Sequence, residues 1–467
     1  MEIIKQTSSI KTVNPYNNEL VKEFAPMTDI ELAAIIDKAD KAFASWKNQS
    51  YEERAKVMHK VASLMRERKE ELGKLATLEM GKLISESIYE VELSADIFDY
   101  YADKAAELLA DKPLEVKNGE AFISYEPIGT ILSIQPWNFP YYQITRSAAS
   151  NLMAGNTMVL KHASNVPQCA QLMEDLFIKA GLPVGVYNNI FIPGKEIKSL
   201  VSNPKIKAVS LTGSELAGTS IASAAGAKAK KVTLELGGSD PFIVLDDVDI
   251  DLAVKTAVDG RMWNAGQVCV SPKRVIVPEK MKAAFLAKVK DVFATLKVGD
   301  PMDKETNVAP LSTEAAANDV IAQINKAAQQ NATIVLGGKR MDRKGAFVEP
   351  TIITDITSEM DAFHEEIFGP VFMLYSYKDI DEAISIANAT KFGLGGTVFG
   401  NNIKKAVEVA RKIDTGMVYI NHVTGIAPEL PFGGTKNSGF GREQAPMGIY
   451  EFVNEKLIRT TTPKAIY

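Results

Sequence analysis

The chain has 467 residues, 46% hydrophobic and 24% charged, with a formal net charge of −5. That length corresponds to roughly three domains and can bury a large core without staples. The acidic balance, the lack of a basic block and the absence of any run of about 18 apolar residues argue against nucleic acid or a membrane span as partners. Two cysteines, Cys169 and Cys269, cannot make a disulfide framework and suit a reducing compartment. Met1–Gln6 lacks the charged-then-apolar pattern of an export signal, so a cytoplasmic location is expected. His59, His162, His364 and His422 are far apart in the chain, and no Cys/His spacing suggests a metal site.

The first third reads as helix. Thr28-Asp29-Ile30-Glu31 is a capping box before an apolar-periodic run ending near Trp46. Ser50-Tyr51-Glu52-Glu53 is a second, opening a charged helix predicted to run through about Leu75. From Gly129 short apolar runs alternate with helical stretches. Strands are predicted at Thr130–Ile134, Met158–Lys161, Asn189–Ile192, Ala208–Leu211 and Val232–Leu236, with helices at Ala163–Ala180 and Glu196–Val201 between them. That alternation implies parallel βαβ units and a doubly wound α/β domain. After Gly237-Gly238 it restarts, with strands near Phe242–Leu245, Arg274–Val277, Val371–Tyr375 and Met417–Ile420, a second α/β domain. The β-branched Tyr450–Tyr467 reads equally as a surface tail or as an exposed strand that pairs with another subunit's sheet.

Four segments carry candidate chemistry. In Gly266-Gln267-Val268-Cys269-Val270-Ser271-Pro272 a cysteine lies between a glycine turn and a strand, where a loop can present it to a cleft; a buried hydrophobe is the competing role. In Leu234-Glu235-Leu236-Gly237-Gly238-Ser239 a carboxylate ends an apolar strand, where burial would raise its pKa and fit it for general-base work. Pro136-Trp137-Asn138-Phe139-Pro140 follows a strand, and the Asn138 amide could donate to a developing oxyanion together with the Cys269 backbone N–H. Leu211-Thr212-Gly213-Ser214 joins a strand to a helix N-terminus, a phosphate-binding context although its spacing departs from G-x-G-x-x-G.

Taken in this order, and with Glu365–Val371 (EEIFGPV) and Pro431–Glu443 (PFGGTKNSGFGRE), these segments resemble the aldehyde dehydrogenase superfamily over nearly the whole chain. The resemblance implies an aldehyde dehydrogenase-like α/β fold. Residues 1–112 and 132–236 would form a Rossmann-like NAD(P)-binding domain, 237–425 an α/β catalytic domain, and 113–131 with 450–467 a small oligomerisation strand extension; 426–449 would return to the cofactor domain. It implies a homodimer or homotetramer. It further implies that Cys269 attacks the aldehyde carbon, Asn138 holds the thiohemiacetal oxyanion and Glu235 activates the water that hydrolyses the thioester. No metal is required.

Cofactor contacts follow from the same resemblance: Lys161 at the adenosine ribose, Gly213 and Ser214 at the pyrophosphate, Glu366 and Phe368 at the nicotinamide ribose and ring, and Trp137 along the channel. NAD-preferring members often carry a glutamate three residues after the lysine. Here that residue is Ser164, which implies that NADP is preferred and NAD is possible.

Thr145-Arg146 resembles the semialdehyde branch, especially succinate-semialdehyde dehydrogenases. There Arg146 would hold the far carboxylate of the substrate in a fork; the competing role is a salt bridge. Two features depart from that branch. A second arginine is expected where this chain has Trp263, and Arg261 is the nearest replacement. An expected serine is missing, with Thr424 the nearest hydroxyl. Glutarate semialdehyde is an alternative substrate, and a non-catalytic protein on the same fold is an alternative of a different class. A CoA-acylating branch typically lacks the water-activating glutamate, so Glu235 favours hydrolysis. Val270 and Ser271 after the nucleophile, with Cys169 remote in sequence, imply no local cysteine redox switch.

Overall fold

The computed structural model describes residues 9–463, so the readings of Met1–Gln6 and of the last four residues lie outside the described part. Both capping boxes form. The Thr28 hydroxyl accepts the Glu31 N–H at 3.3 Å while the Glu31 carboxylate accepts the Thr28 N–H at 2.8 Å, opening helix Asp29–Trp46. Ser50 and Glu53 repeat the arrangement at helix Tyr51–Glu67. This second helix stops earlier than its periodicity predicts. Arg68 leaves helical geometry (φ −107°, ψ 17°) and a separate helix, Lys69–Met80, follows. Together with Ile84–Leu108 these helices surround Pro140–Ala154, a helix with every residue buried. The Trp46 indole donates to the Leu152 carbonyl at 3.1 Å, tying the outer layer to that central helix.

Two large sheets follow, as the restarted alternation predicts. The first runs Gly439–Phe440, Lys231–Glu235, Ile206–Thr212, Thr130–Gln135, Thr157–His162, Tyr187–Asn189, all parallel except the first. Its helix at Pro167–Lys179 starts later than expected because Pro167 takes the first helical position, where its missing N–H and fixed φ fit. The strand expected at Asn189–Ile192 lies slightly earlier, at Tyr187–Asn189. The second sheet runs Thr333–Leu336, Thr351–Thr354, Val371–Tyr377, Pro272–Pro278, Asp240–Val244, Thr397–Phe399, Tyr419–Ile420, parallel except at its first strand. The inner strands of both sheets are buried along nearly their whole length, as sheets covered on two faces require.

Val453–Thr460 is a strand. It pairs antiparallel with Glu120–Pro127, which also pairs with Lys112–Leu114. It is the edge of this three-stranded sheet, and past Val453 it is exposed. Among the described residues no helix is long and apolar enough to cross a membrane.

Candidate active site

The winding of the first sheet reverses between Thr130–Gln135 and Ile206–Thr212. Open α/β sheets place ligand crevices outside the carboxyl ends of the strands at such a switch point. A cavity of about 270 Å³ lies there. Trp137 and Asn138 line it from the exit of one strand, Gly213 and Ser214 from the other, and Cys269, Glu366 and Phe368 from segments next to the second sheet.

Asn138 is aimed by its surroundings. Glu90 is buried on helix Ile84–Leu108 and its carboxylate accepts the N–H groups of Tyr141 and Tyr142 at 2.7 and 3.0 Å. That caps the central helix where Pro140 begins it, so the strand exit cannot drift. Glu90 is paired with the buried Lys82 at 2.6 Å, and the Lys82 ammonium lies 3.7 Å from the centre of the Phe139 ring. The Asn138 amide then donates to the Gln267 carbonyl at 3.1 Å and accepts from Gln143 at 3.3 Å. One amide hydrogen is left for a ligand.

Cys269 sits on a strained turn. Asn264, Ala265 and Gly266 have φ of 49°, 51° and 77° in succession. For the two non-glycine residues this costs on the order of 1–3 kcal/mol each and persists only where neighbours enforce it. The Glu86 carboxylate accepts the Asn264 N–H at 2.9 Å, the Asn264 amide donates to the Asn138 carbonyl at 3.0 Å, and the Ser312 N–H donates to Gln267 at 2.9 Å. Burial pushes the Cys269 thiol up to about 12; Lys273 and Arg146 pull it back, and Glu366 and Asp240 add to the rise. Both cysteines are free, and Cys169 is buried in its helix with its N–H on Glu79 at 2.8 Å.

Glu235 ends its strand buried, and among the described residues neither carboxylate oxygen has a hydrogen-bond partner. Burial raises its pKa well above the usual carboxylate range, opposed mainly by the Arg146 charge. Leu236 and Gly237, which follow it, line the cavity. The two glycines of this segment are spatial necessities: a side chain on Gly237 would strike the Glu366 carboxylate, and one on Gly238 would lie 2.6 Å from the Cys269 carbonyl oxygen.

On the cofactor side, Lys161 is buried, no carboxylate among the described residues pairs with it, and desolvation lowers its pKa to about 8. Ser164 lies exposed beyond it. Ser214 caps helix Glu215–Gly226, its hydroxyl accepting the Ala217 N–H at 3.3 Å. Glu366 accepts the Gly238 N–H at 3.2 Å and pairs with Lys273 at 3.1 Å, and Phe368 meets Trp137 edge-on at 5.9 Å. Among the described residues no cluster of three or more His, Cys, Asp or Glu is placed to hold a metal.

Three side chains expected at the substrate are committed elsewhere. Arg146 is fully buried; its guanidinium pairs with Glu443, donates to the Thr212 hydroxyl at 2.7 Å and lies over the Phe432 and Tyr142 rings. The structure thus places the guanidinium in the salt bridge rather than on the cavity. Arg261 spends its five donors on Val371 O, Ile367 O, Gly369 O, Gly266 O and the Ser271 hydroxyl. It clamps the Cys269 loop to the Glu366–Phe368 segment and cannot compensate for Trp263. Thr424 is buried against Asp240 and Gly396. Gln143, Asp240, Lys273 and Glu443 were missed by sequence reasoning. A lysine opening an apolar strand four residues after the cysteine was the one available signal.

The Aldehyde dehydrogenase family model matches residues 3–458. The chain belongs to the aldehyde dehydrogenase family. Within that family it is 48% identical to a succinate-semialdehyde dehydrogenase [NADP(+)] of Deinococcus radiodurans, over 97% of this chain and 95% of that one. It is 42% identical to a probable succinate-semialdehyde dehydrogenase [NADP(+)] of Synechocystis, over 96% and 99%. A crystal structure of succinic semialdehyde dehydrogenase from Streptococcus pyogenes with NADP+ as the cofactor superposes with a TM-score of 0.96 at 46% identity, covering 97% of this chain and all of that one. The aldehyde dehydrogenase-like α/β fold read from the sequence is the fold observed.

Proposed function

We propose that this protein oxidises succinate semialdehyde to succinate with NADP+ through a covalent Cys269 intermediate. The observation that carries the reading is the meeting of the Cys269 thiol and the Asn138 amide on one cavity at the switch point, directly beside the strand end bearing the unpartnered Glu235 carboxylate. The substrate and cofactor come from relatives 42–48% identical over nearly their whole length.

The residues present fit a dinucleotide. Lys161, a buried ammonium with no carboxylate partner among the described residues, would hold the adenosine ribose and any 2′-phosphate, with Ser164 adding a neutral donor and no opposing charge. Gly213 and Ser214 would seat the pyrophosphate at the helix N-terminus, with Glu366, Phe368 and Trp137 around the nicotinamide. Bound there, the nicotinamide supplies the two-electron acceptor that turns thiohemiacetal into thioester.

The protein's own residues do the rest. The Cys269 thiolate adds to the aldehyde carbon, and the spare Asn138 amide hydrogen stabilises the oxyanion that forms. Glu235 takes a proton from water as that water attacks the thioester, releasing carboxylate and restoring the thiol. Burial raises the Glu235 pKa and so favours the neutral acid, while the Arg146 charge favours the carboxylate that acts as the base.

We further propose a homodimer or homotetramer built on Val453–Thr460 as an edge strand, working in the cytoplasm. Leu457 and Ile458 on that strand are 60% and 37% exposed, which supports pairing with a second copy. Light scattering on the purified chain tests the assembly. A panel of succinate semialdehyde, glutarate semialdehyde and butanal, each with NADP+ and NAD+, tests the activity. Highest kcat/KM for succinate semialdehyde with NADP+ is expected; equal values for butanal, or a large excess with NAD+, refute the respective part.

A further inference from the structure

Lys273 lies near the start of strand Pro272–Pro278 with a fully buried side chain. Its ammonium donates to the Cys269 carbonyl at 2.7 Å and the Val268 carbonyl at 2.9 Å, and it meets the Glu366 carboxylate at 3.1 Å. Three acceptors use all three donors of an ammonium. Two belong to the peptides that carry the nucleophile, and the third is the carboxylate bordering the cavity. The enclosure is tight, since Gly238 gives its N–H to the same carboxylate and has no room for a side chain against Cys269. Asp240 is buried on the neighbouring strand and held by the Gly395 N–H at 3.0 Å; burial raises its pKa to about 7 and the Lys273 charge pulls it back.

The charges that act on Cys269 are therefore few. Lys273 and Arg146 favour its thiolate, Glu366 and Asp240 oppose it, and Arg146 is already bound to Glu443. We infer that Lys273 is a positioning residue for the reaction proposed above: its ammonium locks the Cys269 peptide to Glu366 and is the counter-charge on which the Cys269 thiolate depends. The inference rests on Cys269 being the nucleophile. It assigns a role to a residue that touches neither substrate nor the reacting sulfur.

Alkylation of Cys269 by iodoacetamide tests it, followed by peptide mass spectrometry on the full chain from pH 6 to 10. Cys169 is fully buried, so the modified peptide reports on Cys269. Only the thiolate reacts, so at a fixed pH below the titration each unit by which the thiol rises cuts the reactive fraction about tenfold, partly offset by the greater nucleophilicity of a more basic thiolate. Lys273→Met is expected to slow alkylation at least tenfold at pH 8 and displace the whole profile to higher pH. Lys273→Arg should recover part of the rate by restoring the charge. Asp240→Asn should speed alkylation a few-fold, because it removes a charge opposing the thiolate. Wild-type rates in Lys273→Met overturn the inference, and so does equal slowing in Lys273→Met and Asp240→Asn, which would mark general disturbance of the loop. Should Lys273→Met fail to fold, Lys273→Gln, which keeps an N–H donor for the two carbonyls but no charge, decides in its place: a wild-type rate overturns the inference. None of these readouts needs an aldehyde. Failure of the nucleophile reading is separately visible as retained aldehyde oxidation in Cys269→Ala.

Discussion

Replacing Arg146 with Met separates a structural arginine from a substrate-gripping one. In the structure its guanidinium is fully buried, paired with Glu443 and donating to Thr212 at 2.7 Å. Removing it leaves the Glu443 carboxylate buried with the Ser210 hydroxyl at 2.9 Å as its remaining side-chain partner. Breaking one side of such a pair costs about 3–5 kcal/mol of stability. The same change removes the strongest influence lowering the Glu235 pKa, so the ionised fraction of the base falls about tenfold per unit of further rise. Chemical denaturation followed by steady-state kinetics with succinate semialdehyde and butanal gives both quantities. The expected result is a kcat lowered roughly ten- to a hundredfold for both aldehydes, an alkaline displacement of the rate profile, and a KM ratio between them within about threefold of wild type. Adding Glu443→Gln should return most of the lost stability, because no unpaired charge is then left buried. A KM for succinate semialdehyde raised tenfold or more with butanal unaffected would refute this account, since that pattern is the signature of a lost carboxylate grip.

Other outcomes follow from the same geometry. Cys269→Ala should abolish aldehyde oxidation, a loss of at least about a thousandfold in kcat, while leaving NADP+ binding measurable by fluorescence titration. Glu235→Gln should still release one equivalent of reduced cofactor rapidly and then turn over about a hundredfold or more slowly, visible as a stopped-flow burst. Ser164→Glu should lower kcat/KM for NADP+ about tenfold or more by placing a carboxylate near the 2′-phosphate, with little change for NAD+. Burial raises Glu86 from 4.5 to about 7. Between those values the unfolded chain has released a proton that the folded chain still holds, so folded stability falls as pH rises through that window. Near 1.4 kcal/mol per unit, the loss approaches about 3 kcal/mol. Glu86→Gln removes this dependence, so its melting temperature relative to wild type should climb from pH 4.5 to pH 7; a constant difference would contradict the buried-carboxyl assignment.

The residues that the proposed chemistry uses were legible in the sequence where their placement depends on short strings. A cysteine after Gly266, a carboxylate before Gly237 and an amide after Pro136 keep their meaning because turns and strand ends are local. The alternation of strand and helix was legible for the same reason. Arg146, Arg261 and Thr424 were not. Their spacing put them near the right segments, but a guanidinium takes its role from whatever acceptors surround it after folding. For Arg261 those are backbone carbonyls more than a hundred residues away at Ile367, Gly369 and Val371. Glu90 and Lys82 were silent too, because a buried ion pair on an early helix gives no sign that it caps the helix following Asn138.

The site lies where the carboxyl ends of one parallel sheet face the amino edge of another. Strand exits from the first supply Asn138, Ser214 and Glu235, while Cys269 arrives on the entry to strand Pro272–Pro278 and Glu366 on the approach to strand Val371–Tyr377. Neither sheet alone holds both Cys269 and Asn138, the proposed nucleophile and oxyanion donor, so their relative placement must be enforced. Arg261 ties the two arriving loops to each other, Lys273 ties the nucleophile peptide to Glu366, and the Asn264 amide with the Asn138 amide stitches the two sides together. These are charged or amide groups in a buried place whose donors reach backbone acceptors that an apolar side chain would leave unpaired. Their burial is costly in isolation, and the strained turn at Asn264 and Ala265 adds to it. A fold selected for stability alone would fill this seam with leucine, so the cost makes sense under the proposed function, as the holding of the Cys269 thiol at a fixed position beside the cavity.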